Sequence, residues 1–150
     1  MQNPEPPLFF QVFNEIGIIE QLSRTILEEH MPKGLIAPHF AVLNHLTRVG
    51  EGSTPMDMAR AFQVPKTSMT HTLSGLEARN LVETRPNPKD GRSKLVWLTD
   101  AGRALRADII ASLAPEFAKL SNGFDGDKLA QILPVLSELR VFLDENRSGK

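Results

Sequence analysis

The stretch Ser53–Asn80, "STPMDMARAFQVPKTSMTHTLSGLEARN", holds two short helical patterns separated by the turn "QVP". Thr54 is a good N-cap, Pro55 takes the first helical position, and Asp57 completes a Thr-x-x-Asp capping pattern. The first helix should end near Phe62, with Met58, Ala59 and Phe62 inward. The second should run from about Lys66 to Arg79. Met69, Leu73 and Leu76 fall at i, i+4 and i+7, so one stripe packs. Thr67, Ser68, Thr70, His71 and Ser74 fall off that stripe. Asn80 stands where the helix must stop, and Asn tolerates the left-handed cap conformation better than other non-glycine residues.

Upstream, Phe9, Val12, Phe13, Ile16, Ile19, Ile26 and Leu27 recur at helical spacing and predict a long helix from about Leu8 to Glu29. Pro32 and Gly34 end it. Another helix is expected from about Pro38 to Arg48, with Phe40, Leu43, Leu46 and Val49 inward. Downstream, two short strands, about Val82–Arg85 and Lys94–Leu98, flank "PNPKDGRS", where Asp90-Gly91 is a turn signal. Thr99 or Asp100 should cap a long helical region with Leu105, Ile109, Leu113 and Phe117 inward, which Pro115 should kink or break. A final helix is expected over about Lys128–Glu145, kinked at Pro134. The order is helix, helix, helix-turn-helix, hairpin, helix, helix.

The chain has 150 residues, the size of one domain, with a formal net charge of -1, so bulk charge points to neither nucleic acid nor a membrane surface. Without cysteine, disulfides, thiol catalysis and thiolate metal sites are excluded. The start lacks the basic and apolar regions of a signal peptide, and no apolar run is long enough to span a bilayer. The expectation is a cytoplasmic protein with no membrane association.

Local charge is more informative. Between Arg85 and Lys94 stand Arg85, Lys89, Arg92 and Lys94 against the single acid Asp90. A helix-turn-helix can lay its second helix in a major groove and offer small hydrogen-bonding side chains to base edges. Thr67, Ser68, Thr70 and His71 suit that use, and Lys66 sits where a helix start already favours a phosphate. Any solvated helix can show such a face, and hairpin tips are often charged to block edge pairing. The basic tip directly after the helix-turn-helix is what favours DNA.

The segment "DMARAFQVPKTSMTHTLSGLEARNLVETRPNPKDGRSKLVWLTDAG" resembles the winged helix-turn-helix core of the MarR family of bacterial transcription regulators. "LSGLEARNLVE", Asp90-Gly91-Arg92 and "LVWLTDAG" carry the likeness, which extends over about Pro38 to Leu105. The resemblance implies a mainly α fold with a small β-hairpin wing: a winged helix-turn-helix core flanked by dimerisation helices. It divides the chain into an N-terminal dimerisation helix (1–35), a DNA-binding lobe (36–100) and C-terminal dimerisation helices (101–150). It also implies a homodimer on a double-stranded DNA operator with two half-sites. Arg92 would enter the minor groove, Asp90 would help hold the hairpin, and Thr67, Ser68, Thr70 and His71 would occupy the recognition positions. Thr54 would contact phosphate. Gln63 stands where the family's turn usually has Gly, Pro65 where Ser is often found, and His71 where Arg is frequent.

The DNA-binding set is therefore Thr54, Lys66, Thr67, Ser68, Thr70, His71, Lys89, Arg92 and Lys94, with Asp90 and Gly91 structural in the wing. Members of the family commonly release DNA when a small, often aromatic ligand enters a crevice. Phe10, Phe13, Phe40 and Phe117 are candidates to line one, although core packing is the simpler role for each. His30, His39, His45 and His71 show no metal-ligand spacing, so neither a metal nor a cofactor is expected. No nucleophile elbow, phosphate loop or paired carboxylates suggest an enzyme. The expected function is a dimeric, sequence-specific regulator, a repressor released by a ligand. The alternative is a winged-helix protein-interaction module without DNA binding.

Overall fold

A computed structural model describes residues 3–147. Among them are seven helices and one hairpin: α1 (Leu8–Glu29), α2 (Ala37–Val49), α3 (Pro55–Phe62), α4 (Lys66–Ala78), β1 (Val82–Pro86), β2 (Lys94–Leu98), α5 (Asp100–Ser112), α6 (Ala114–Gly123) and α7 (Gly126–Glu145). The mainly α architecture with a two-stranded wing agrees with the sequence reading. The chain divides into two compact units, one ending at Ser112 and the other beginning at Leu113.

The first unit has one core. Val42, Leu43 and Leu46 of α2 meet Met58 and Ala59 of α3, Met69, Leu73 and Leu76 of α4, and Val82, Val96 and Leu98 of the hairpin. Two inward assignments on α2 shift: Val42 is fully buried, whereas Val49 lies at the helix end and is exposed. Phe40 is only half-buried. The apolar stripe of α2 is thus rotated from the one read in the sequence.

The hairpin pairs antiparallel from Val82↔Leu98 to Pro86↔Lys94. Alternation along a strand places Val82, Val96 and Leu98 on the core face and Glu83, Arg85 and Trp97 on the other. Ser53 forms an isolated antiparallel bridge with Val96 on the other edge of β2. Gly52 N donates to Val96 O at 2.8 Å and Val96 N donates to Ser53 O at 2.9 Å. The chain entering α3 is thereby fastened to the base of the wing.

Four features hold the helices that carry the site. The Thr54 hydroxyl accepts from Asp57 N at 3.1 Å and caps α3. Gln63, in place of the usual Gly, adopts the left-handed conformation (φ 54, ψ 44). Its amide side chain donates to Arg60 O at 2.6 Å, folding back over the end of α3. Asn80 is left-handed as well, with φ 57. Arg79, next to it, donates to Lys33 O at 2.5 Å and ties the end of α4 to the turn before α2.

The start of α5 is equally local in cause. Thr99 Oγ1 donates to Asn80 O at 2.6 Å and accepts from Gly102 N at 3.0 Å. Gly102 is buried because the backbone of Leu81 passes against it: a Cβ there would lie 2.1 Å from Leu81 O. Only glycine permits that approach.

In the second unit, α6 follows directly on a break at Leu113, with Pro115 in its first turn. Proline there needs no amide partner, so the expected break falls just before it. Asp125 caps α7 by accepting from Asp127 N at 2.9 Å. That helix continues through Pro134 to Glu145 without an interruption.

Candidate nucleic-acid interface

Pro65 precedes α4, and no side chain caps the helix. Its first-turn N–H groups therefore lack a side-chain acceptor, and the positive end of the helix dipole is uncovered. Lys66, Thr67, Ser68, Thr70 and His71 are all exposed on this helix, while Met69 and Leu73 are buried behind them. The same periodicity that anchors α4 thus presents its polar side chains outward.

The wing loop is built differently from a two-residue turn. The last paired rung, Pro86↔Lys94, leaves residues 87–93 as the loop. Asp90 N donates to Asn87 O at 3.3 Å, and Ser93 N donates to Asp90 O at 3.2 Å, giving two successive turns. Gly91 is not among the glycines with positive φ, so it does not form the tight glycine turn suggested by Asp-Gly. Side chains hold the loop instead. Asn87 Oδ1 accepts from Lys89 N at 3.0 Å, and Asn87 Nδ2 donates to Ser93 Oγ at 2.9 Å. Asp90 Oδ1 accepts from Arg92 N at 3.0 Å and from Arg92 Nε at 3.3 Å. Arg92 nevertheless keeps 93% of its side chain in solvent.

Arg85 leaves the basic group. It donates to Glu83 Oε1 at 2.5 Å and lies over the Trp97 ring, 4.2 Å from its centroid. Glu83 and Arg85 are two apart on one strand and therefore share a face, with Trp97 directly across from Glu83. The pattern was present in the sequence, but charge counting alone does not separate the faces.

Between α3, α4 and the wing opens a cleft of about 330 Å³. Thr54 comes to it from the α3 cap, Lys66 and Thr70 from α4, and Arg92 and Lys94 from the wing. Glu77 and Thr84 also line it. Five of the nine predicted DNA-binding residues thus converge from three elements. Thr67, Ser68 and His71 lie on α4 outside this lining, as does Lys89 on the wing loop.

Residues 33–93 match the model of the MarR family. Over nearly its whole length the chain superposes on wild-type MarR from E. coli in its apo form, at 25% identity and a TM-score of 0.73, covering 91% of this chain and 98% of that one. Over residues 33–93 the chain is similar to the MarR family. Two further solved structures share the fold. One is a mutant MarR from E. coli complexed with operator DNA (24% identity, 89% and 99% covered, TM-score 0.68). The other is the PcaV transcriptional regulator from Streptomyces coelicolor in complex with its natural ligand (18% identity, 91% and 96% covered, TM-score 0.67). The cleft lies within this winged-helix fold, between α3, α4 and the hairpin.

The remaining predicted positions fall as follows. Phe10 and Phe13 are exposed on α1, and Phe40 is half-buried on α2. Phe117 is exposed on α6, in the second unit. Among the described residues no group of His, Asp or Glu is placed to hold a metal ion, and no helix is long and apolar enough to cross a membrane. His39 and His45 have structural surroundings. His39 Nδ1 accepts from Ile36 N at 2.9 Å at the start of α2. Its pKa is lowered, first by burial and also by the charges of Arg79 and His71. His45 stands edge-on to Phe62, with centroids 5.1 Å apart, and its pKa is lowered by burial and by Arg48.

Proposed function

We propose that this protein is a MarR-family regulator: cytoplasmic, homodimeric and sequence-specific, binding a double-stranded DNA operator, acting as a repressor and released by a small ligand. The observation that carries the reading is the cleft where Thr54, Lys66, Thr70, Arg92 and Lys94 converge from three elements. A phosphate backbone entering it would meet three cations and the hydroxyl-bearing start of α3. The uncapped start of α4 adds N–H donors for the same strand. Thr67, Ser68, Thr70 and His71 would then offer hydrogen bonds to base edges. Arg92, supported from behind by Asp90, extends far enough into solvent to enter a minor groove, where narrow A·T-rich sequence concentrates negative potential. Lys89 contributes phosphate attraction at the loop.

The dimer is supported by the exposed apolar side chains of α1, α6 and α7, none of which contains a buried residue. Obligate interfaces are apolar in this way. Ligand release follows the family pattern, with Phe10, Phe13, Phe40 and Phe117 as lining candidates. A ligand can shift the equilibrium only if it binds the DNA-incompetent form more tightly.

Selection of bound sequences from random duplexes, paired with light scattering, tests the reading. The expected result is one enriched site with two related half-sites and a dimeric mass at micromolar concentration. Failure to enrich any sequence would favour a winged-helix module that engages protein instead. Addition of small aromatic acids to the selected complex tests release.

A further inference from the structure

One charge in the cleft opposes its proposed use. Glu77, on the last turn of α4, is the only acid among the lining residues, facing a cleft that also holds Lys66, Arg92 and Lys94. Its Oε1 accepts from Thr84 Oγ1 of β1 at 3.1 Å. A hydroxyl orients the carboxylate but does not neutralise it. Among the described residues no Lys or Arg closes an ion pair on Glu77. The other acids near the hairpin are occupied on its opposite side: Glu83 pairs with Arg85, and Glu51 with Arg103. Asp90, at the loop, is engaged by Arg92. Glu77 is therefore an uncompensated negative charge held by a hydrogen bond in the region where phosphates are expected.

Resting on the DNA-binding reading above, we infer that Glu77 is an affinity-limiting residue: its carboxylate repels the DNA backbone in the cleft and keeps the complex releasable. Phosphate attraction supplies most sequence-independent affinity. A fixed negative charge beside the cations subtracts from it for every duplex. Glu77 sits at the far end of α4 from Lys66, so it acts on the backbone through charge and not on base edges. The Thr84 bond links Glu77 to the wing without altering its charge.

Two substitutions separate charge from geometry. Glu77→Gln removes the charge and retains a carbonyl oxygen to accept from Thr84. Thr84→Val removes the hydrogen bond and retains the charge. Binding to the selected operator and to an unrelated duplex would be measured over a salt series for the full-length chain, with thermal melts as folding controls. For Glu77→Gln the expected result is tighter binding to both duplexes, about threefold per half-site at low salt, fading as salt rises. Thr84→Val should give no such gain. Unchanged or weaker binding by Glu77→Gln in a folded protein would overturn the inference while leaving the DNA reading intact. A gain of equal size in Thr84→Val would also overturn it, because wing geometry and not charge would then be responsible. If the wild type binds neither duplex, the DNA reading and this inference fall together.

Discussion

The lobe from α2 to α5 and the helices α1, α6 and α7 spend their apolar residues in opposite ways. In the lobe, Val42, Leu43, Leu46, Met58 and Leu76 are at most 1% exposed. On α1, Phe9 and Leu22 are more than 60% exposed, as are Leu133 and Val135 on α7. Both regions show helical periodicity, so local pattern does not explain the difference. The lobe packs four helices and a hairpin within one chain. Among the described residues, α1, α6 and α7 each carry an apolar stripe with no buried residue. That contrast gives the lobe a core of its own and leaves open apolar stripes on the terminal helices, the basis of the proposed dimer.

The most disruptive way to break this comparison is a charge on an open stripe. Leu133→Asp is expected to convert a dimer into monomers at micromolar concentration, read as a halved mass in light scattering. An unchanged dimer would remove α7 from the interface. The matching change in the closed region is Leu43→Ala. It should cost about 3 kcal/mol of stability, within the usual range for truncating a buried leucine, read by urea denaturation. Leu133→Ala should cost the isolated chain far less.

Gly102→Ala sharpens the comparison inside the lobe. The added methyl would strike the Leu81 carbonyl, where backbone and not a flexible side chain must yield. A loss of about 1–3 kcal/mol is expected, together with a displaced start of α5, visible as chemical-shift changes at Leu81 and Thr99. A silent substitution would mean that the two segments are not tightly joined.

The smallest effect is on pH. His39 has a folded pKa below its ordinary 6.5, chiefly because it is buried. The unfolded chain therefore binds the proton more readily. His39 contributes stability that is present above about pH 6.5 and lost as pH falls toward its folded pKa. Protonation at Nδ1 would also place a hydrogen where Ile36 N–H already points. His45, shifted the same way, adds to the trend. Thermal midpoints should drop between pH 7.5 and 5, and His39→Asn should lessen that drop. An identical pH dependence in the variant would show that His39 does not contribute.

Much of this was legible in local sequence. Thr54-Pro55-Met56-Asp57 marks the start of α3, Asn80 the stop after α4, and Met69, Leu73 and Leu76 the buried side of α4. These signals depend only on spacing and backbone preference. The polar residues of α4 and the basic wing tip were visible for the same reason. What was hidden depends on contacts distant in the chain or on which face a strand shows. The need for Gly102 arises from Leu81, and Arg85 is withdrawn by Glu83 and Trp97. Asp90-Gly91 suggested a tight turn, yet the loop is wider and fixed by Asn87, Asp90 and Ser93. Gln63 departs from the usual glycine but still reaches the left-handed conformation, helped by its own side chain. Glu77 carries no signal in local sequence, because its setting depends on the fold bringing Lys94 and Arg92 to the same cleft.

The most direct test of DNA binding through the cleft and wing is equilibrium binding of wild type and Arg92→Ala to the selected duplex across a salt series. The wild type should bind with an affinity that falls steeply as salt rises. Arg92→Ala should bind more weakly, with a slope of log K against log salt reduced by about one. Absence of wild-type binding at low salt, or an Arg92→Ala variant with unchanged affinity and slope, would contradict the account.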